Sequence, residues 1–500
     1  MRRTRRLVLA GALAAVMTVP AAVPVAAAPD VPTAGPSAVA GPTPSTLRWA
    51  PCPADVVTPL PLECSTLDVP LDYGRPDGRQ VEIAISRLAS TEPAQRRGVL
   101  LTNPGGPGIA GLAYPAELAV AGLPQDVLGS YDVIGMDPRG VGRSAPVTCD
   151  STPEQQALGS FPRYAGTIFD VTREAEYART VADQCAASST AWMMPHTTTA
   201  NTARDLDRVR AALGEEKASY LGASYGSYLG AVYTTLFPDT TDRVVIDSVL
   251  GPDGYDVQQM RRFARGLQDR FPDFAEYAAA HPEYGLGTTP EQVEAKFYEL
   301  VEKLEANPQP DMDAMKFRVD TFGYLYSDAT IPVVAKMWRL VDTGQPQPVI
   351  PAGDHDNLLS ARLYVICGDQ RWPETIWRYQ LDVAIDRARY PMLGGSTANI
   401  GPCAFWPDVR TEQPTTISDR GPSNVLMVQN ERDPGAALAG AEETRQAFGR
   451  RATMVTVDGG GHGVYPWTTS TCAKDAVTAY LTTGERPARD LVCAAVPSGR

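Results

Sequence analysis

Histidine is scarce in this sequence, with only 4 in 500 residues. Any chemistry that needs an imidazole must draw on His196, His281, His355 or His462. Positive charge is also short: 45 Lys and Arg face 58 Asp and Glu, a formal net charge of −13. Nucleic-acid binding requires clustered cations on phosphates, so that partner class is not expected. There is no Cys-x-x-Cys, which leaves zinc-ribbon and thioredoxin-type readings without support. No glycine-rich run ends in Gly-Lys-Ser/Thr, so a phosphate loop is not indicated. No internal repeat is evident. With 43% hydrophobic and 21% charged residues, the composition is that of a globular protein. The length suits one large domain with an insertion, or two to three ordinary ones.

An uninterrupted membrane-length apolar run is lacking too. Residues 1–28 place four arginines ahead of an apolar stretch, and Ala26, Ala27 and Ala28 follow it. That is the order of a secretory signal peptide. Pro20 and Pro24 cut the stretch below the roughly 20 residues of a spanning helix, so cleavage and export are expected rather than anchoring. Residues 29–47 are rich in Pro, Ala, Ser, Thr and Gly and read as a flexible linker or pro-segment. Eight cysteines remain: Cys52, Cys64, Cys149, Cys185, Cys367, Cys403, Cys472 and Cys493. An even number in an exported chain predicts four disulfides. Short loop closure favours sequential pairing, Cys52–Cys64, Cys149–Cys185, Cys367–Cys403 and Cys472–Cys493.

Short apolar runs bounded by turn residues recur at 81–85, 98–102, 131–136, 218–222, 243–249, 424–428 and 452–457. Helical patterns lie between several of them. In Thr202–Leu213, Leu206, Val209 and Leu213 share one face. This alternation predicts an α/β fold with a mostly parallel sheet covered on both faces. Residues 252–415 break the rhythm with charged helical segments and predict a helical insertion. The core then comprises 48–251 and 416–500.

The strongest motif is Gly222-Ala223-Ser224-Tyr225-Gly226, between a strand-like and a helix-like run. Such a turn exposes the serine hydroxyl as a nucleophile and aims the following N–H at a developing oxyanion. Upstream, Asn103-Pro104-Gly105-Gly106-Pro107-Gly108 follows another strand. The expected oxyanion donors are the N–H groups of Gly106 and Tyr225. The base is reached by elimination. His196 precedes the serine, His281 and His355 fall in the insertion, and His462 sits on a late glycine-rich loop. For the acid, Asp433 is favoured after the run Val425–Val428. Glu431 and Asp247 remain alternatives. Ser224, His462 and Asp433 would form an acyl-enzyme without a metal or organic cofactor.

The stretches LTNPGGPGIAG, YDVIGMDPRGVGRSAP, TTTANTARDLDRVRAALG, YLGASYGSYLGAVYTTLFPD, VLMVQNERDPGAALAGA and GGGHGV resemble the secreted bacterial tripeptidyl aminopeptidases. These are α/β-hydrolase serine peptidases related to prolyl aminopeptidases. The likeness runs from about Trp49 to Cys493. Departures are Ser227, where the family often has Thr, and Asp433-Pro434-Gly435-Ala436, where many relatives carry Thr-Pro soon after the Asp. The resemblance implies a lid over the active site and release of short peptides from the free N-termini of peptides or proteins. Holding an α-amino group would need carboxylates on the cleft, and Asp369 is the candidate. Asp137 and Arg139 are expected to brace loops. An esterase or lipase with the same triad, or a prolyl aminopeptidase, is the alternative. A secreted monomer without a stable membrane anchor is expected.

Overall fold

The computed structural model describes residues 47–348 and 353–495. The expected signal peptide, and all of the linker before Leu47, lie outside the described residues. Among those described, no helix is long and apolar enough to cross a membrane.

Ten strands form one sheet: β1 (Ala50–Pro51), β2 (Glu63–Pro70), β3 (Gln80–Leu88), β4 (Gly98–Asn103), β5 (Tyr131–Met136), β6 (Ala218–Ala223), β7 (Thr241–Asp247), β8 (Val425–Arg432), β9 (Ala452–Gly460) and β10 (Leu491–Cys493). Their order is β1-β2-β3-β5-β4-β6-β7-β8-β9-β10. The first three strands run antiparallel to their neighbours. From β5 to β10 every pairing is parallel.

Period-two alternation explains why the central strands are apolar throughout. Leu100, Val133, Leu221, Val245 and Leu426 turn to one face. Leu101, Ile134, Tyr220, Val244 and Met427 turn to the other. Leu118, Val127, Val477 and Leu481 cover the first face. Leu206 and Val209, from helix Thr199–Ala212, cover the second with Leu229 and Val232 from helix Tyr225–Leu236.

Between β7 and β8 the chain leaves the sheet for a helical insertion. Its longer helices are Val257–Ala280, Pro290–Ala306, Ala314–Tyr324, Ile331–Thr343, Asp356–Asp369 and Ile376–Arg389. Their apolar faces join the core on the second face of the sheet. Trp338 packs edge-on against Phe274 at 4.8 Å and lies 5.3 Å from Phe317, and its Nε1 donates to Thr321 Oγ1 at 2.9 Å. Such edge-to-face aromatic pairs add about 1 kcal/mol each to the burial.

The eight cysteines pair sequentially, as Cys52–Cys64, Cys149–Cys185, Cys367–Cys403 and Cys472–Cys493. The third pair closes a loop inside the insertion. The fourth ties helix Thr471–Thr483 to edge strand β10.

Candidate active site

β6 ends at Ala223 and a helix starts at Tyr225, so Ser224 alone makes the turn. Its φ of 60° and ψ of −125° lie where a residue with a side chain is strained. The surroundings enforce this. The Ser224 N–H donates to Asp247 O at 3.0 Å, and Ser224 O accepts from Ser227 N at 2.8 Å. Ser227 Oγ donates to the same carbonyl and accepts from Leu250 N at 3.1 Å. Serine at 227 therefore links the elbow to the chain leaving β7. Only glycine fits at 226, where a Cβ would stand 2.6 Å from Asn103 O. Among the described residues the Ser224 hydroxyl has no hydrogen-bond partner, and it opens onto a cleft of about 700 Å³.

Of the expected oxyanion donors, Tyr225 follows the serine directly, and Gly106 follows Gly105, where a Cβ would stand 2.9 Å from Ser224 Cβ. The Gly105 N–H is taken by Asn103 Oδ1 at 3.0 Å. The N–H groups of Gly106 and Tyr225 have no acceptor among the described residues.

His462 lines the same cleft. Its Nδ1 faces Asp433, at 2.8 Å from Oδ1 and 3.1 Å from Oδ2. Asp433 is 1% exposed and also accepts from the N–H groups of Gly435 and Ala436, each at 2.8 Å. Burial works against a charged imidazole. The Asp433 charge and hydrogen bond, with a contribution from Asp247, outweigh it and hold His462 above its ordinary value. The structure thus separates the acids left open by sequence. Asp433 meets the ring, whereas Asp247 holds the backbone beyond it, accepting from Val464 N at 2.9 Å and Tyr465 N at 2.6 Å. Burial pushes Asp247 up to about 7, against these two N–H donors. Glu431 makes no bond to His462.

The insertion completes the cleft. Tyr326 O accepts from the His462 N–H at 2.7 Å, and the two rings meet at 61° with centroids 4.7 Å apart. Asp328 and Asp458 also line the wall. They belong to a charge cluster. Arg270 pairs with Asp273 and Asp328, and Arg432 pairs with Asp273 at 3.0 Å and Asp458 at 2.8 Å. Three carboxylates against two guanidiniums leave this wall negative.

Asp369 does not reach the cleft, which corrects the sequence expectation. Its carboxylate accepts from Thr199 N at 2.9 Å and from Thr199 Oγ1, at the start of helix Thr199–Ala212. Burial pushes it up to about 7, with both Thr199 donors opposing. It lines a separate small cavity with Tyr228 and Arg410. The Cys367–Cys403 bridge does hold its segment, but against Thr199 and not at the cleft. Asp137 accepts from Gly111, Leu112 and Arg143 N–H groups, and buried Arg139 grips Asp205, so both brace loops. Tyr326 and Asp328 were not singled out from sequence. They lie in the insertion, where no motif marks them.

A mostly parallel sheet with a serine on a strained turn between strand and helix defines the α/β-hydrolase class. The comparisons agree. A family model described as TAP-like protein matches residues 390–493. The tripeptidyl aminopeptidase of Streptomyces lividans is 33% identical over 467 residues, covering 90% of this chain and 86% of the relative. Serine protease Hip1 of Mycobacterium tuberculosis is 30% identical, covering 89% and 91%. Carboxylesterase B of the same species is 30% identical, covering 86% of each. The chain belongs to the tripeptidyl aminopeptidase family, and it is a serine hydrolase.

Proposed function

We propose that this protein is an exported serine exopeptidase that releases short peptides, tripeptides first among them, from free N-termini. The observation that carries the reading is the Asp433–His462 pair and a half-buried Ser224 lining one cleft, roofed by Tyr326–Ala329 and walled by an excess of carboxylates.

Ser224 attacks the scissile carbonyl while His462 Nε2 takes its proton. Asp433 holds the ring tautomer with Nδ1–H toward the carboxylate and stabilises the imidazolium. The N–H groups of Gly106 and Tyr225 receive the oxyanion. Collapse expels the amine, which takes the proton from His462. Water, activated by the same base, then releases the peptide. The serine–imidazole hydrogen bond is open in this structure, and substrate is expected to close it. In this reading Asp328 and Asp458, which line the cleft, meet the substrate ammonium. The four disulfides and the N-terminal leader pattern support export.

An esterase reading is favoured by one observation, the similarity to carboxylesterase B. The test is turnover of a free tripeptide–aminocoumarin, its N-acetyl form, the single-residue analogue and simple esters. Fast release from the free tripeptide alone supports the exopeptidase. Activity on esters alone replaces it.

A further inference from the structure

Helix Asp356–Asp369 touches the oxyanion site at two points, although none of its residues lines the cleft. Arg362, at its middle, sends Nη1 to Gly106 O at 2.7 Å. Asp369, at its end, binds Thr199, whose Oγ1 is 2.7 Å from Tyr225 Oη. One helix of the insertion thereby holds Gly106 directly and the Tyr225 side chain through Thr199, the two residues assigned to the developing charge. We propose that Arg362 is a positioning residue for the oxyanion hole, orienting the Gly106 N–H by fixing the Gly106 carbonyl. The proposal rests on Ser224 as the nucleophile.

The loop needs such a brace. Gly105, Gly106 and Gly108 all have positive φ, and glycines lose the most conformational freedom when ordered. The Gly105 N–H is held by Asn103 Oδ1, which fixes the peptide unit before Gly105. The Gly106 carbonyl is held by Arg362, which fixes the unit after Gly106. The unit between them carries the free Gly106 N–H. Bracketed on both sides, that N–H has its direction set before the reaction starts, which is where a preorganised donor gains its effect. A rotated unit would turn a carbonyl toward the charge instead.

The brace is itself rigid. Asn357 Nδ2 donates to Gly140 O at 2.9 Å and Val147 O at 2.8 Å, and Asn357 Oδ1 accepts from Gly142 N at 2.9 Å. Those bonds fasten the start of the helix to the core, and Thr199 fastens its end. The helix backbone rests directly on the loop, since a Cβ at Gly108 would stand 2.4 Å from Leu358 O. Arg362 lies 4.7 Å over the Tyr255 ring, which limits its swing. Its Nε is buried without a hydrogen-bond partner, so the Gly106 carbonyl is its one side-chain hydrogen bond among the described residues.

The experiment compares Arg362→Gln and Arg362→Lys with the unmodified protein. It reads kcat and KM on the free tripeptide substrate and the inhibition constant of a tripeptide aldehyde, whose adduct carries the oxyanion. An oxyanion donor is worth about 100- to 1000-fold in kcat, and its misorientation should remove about 10- to 100-fold of that. The expected result is such a fall in kcat for Arg362→Gln, with KM within about twofold and aldehyde affinity weakened by a similar factor. Arg362→Lys should recover part of both. Unchanged kcat and aldehyde affinity would overturn the proposal. A rise in KM that accounts for the whole loss would overturn it as well, by making Arg362 a substrate-binding group. If Arg362→Gln does not fold, Arg362→Lys carries the same test, because a single ammonium on a shorter reach should still weaken aldehyde binding measurably. Ser224→Ala separates the two readings. Full activity without Ser224 removes the nucleophile and this proposal together, whereas inactive Ser224→Ala beside unaffected Arg362 variants overturns the positioning role alone.

Discussion

The backbone N–H of His462 donates to the carbonyl of Tyr326 at 2.7 Å, and the Tyr326 ring stands edge-on to the imidazole. The insertion therefore holds the proposed general base as well as roofing the cleft. Tyr326→Phe keeps the ring and should stay within about threefold of full kcat. Tyr326→Ala loses an edge contact worth about 1 kcal/mol and should lower kcat by about 3- to 10-fold. Steady-state kinetics of the two variants check this. Equal effects of Phe and Ala would show that the ring contact does not position His462.

Asp433 should matter more than Asp247 for the chemistry. Asp433→Asn should lower kcat by about four orders of magnitude, by favouring the wrong imidazole tautomer. Asp247→Ala leaves the Val464 and Tyr465 N–H groups without their acceptor, so its first effect should be on stability, about 2–3 kcal/mol in denaturant melts. A larger kcat loss from Asp247→Asn than from Asp433→Asn would reverse the assignment.

The raised His462 value sets a pH dependence. His462 must be neutral to accept the Ser224 proton. Activity should therefore rise from acid to neutral pH, with a midpoint above the ordinary 6.5 of histidine in the free enzyme. The sign for stability is opposite. Protonation favours the folded form, so that contribution is complete below the unfolded value and is lost as pH rises through the folded one. A pH profile of kcat/KM reads the first effect. A midpoint below 6.5 would mean that burial prevails over the Asp433 charge.

The negative wall beside Asp328 and Asp458 should recognise the substrate ammonium. Asp328→Asn and Asp458→Asn should each raise KM for the free tripeptide by about tenfold, the cost of about 1.4 kcal/mol. Asp369→Ala should leave that KM within about twofold while lowering the melting midpoint. An effect on KM from Asp369→Ala alone would return the amine site to Asp369.

Much of the site was legible because it is local. The elbow, the glycine loop and the late histidine each occupy a few consecutive residues whose composition is dictated by turn geometry. The central strands were legible because burial on both faces makes them uniformly apolar. β2 escaped because its buried positions, Ser65, Leu67 and Val69, alternate with polar residues, and it ends at Pro70. β10 has only three residues. Choosing between Asp433 and Asp247 needed the fold, since Asp247 ends β7, Asp433 follows the adjacent parallel β8, and both come within reach of the same loop. Asp369 is not legible in the same way, because a disulfide fixes where a segment goes without fixing which cavity its carboxylate faces. Tyr326 and Asp328 lie on the short connection after helix Ala314–Tyr324, and Arg362 lies within helix Asp356–Asp369, so their approach to the cleft and its loops is a tertiary fact.

The most direct measurement is the rate of aminocoumarin release from a free tripeptide conjugate and from its N-acetyl form, with Ser224→Ala as control. Fast release is expected from the free form, at least about 100-fold slower release from the acetylated one, and none above background from Ser224→Ala. Equal rates for the free and acetylated conjugates would contradict an amine-anchored exopeptidase, and undiminished activity of Ser224→Ala would contradict the site itself.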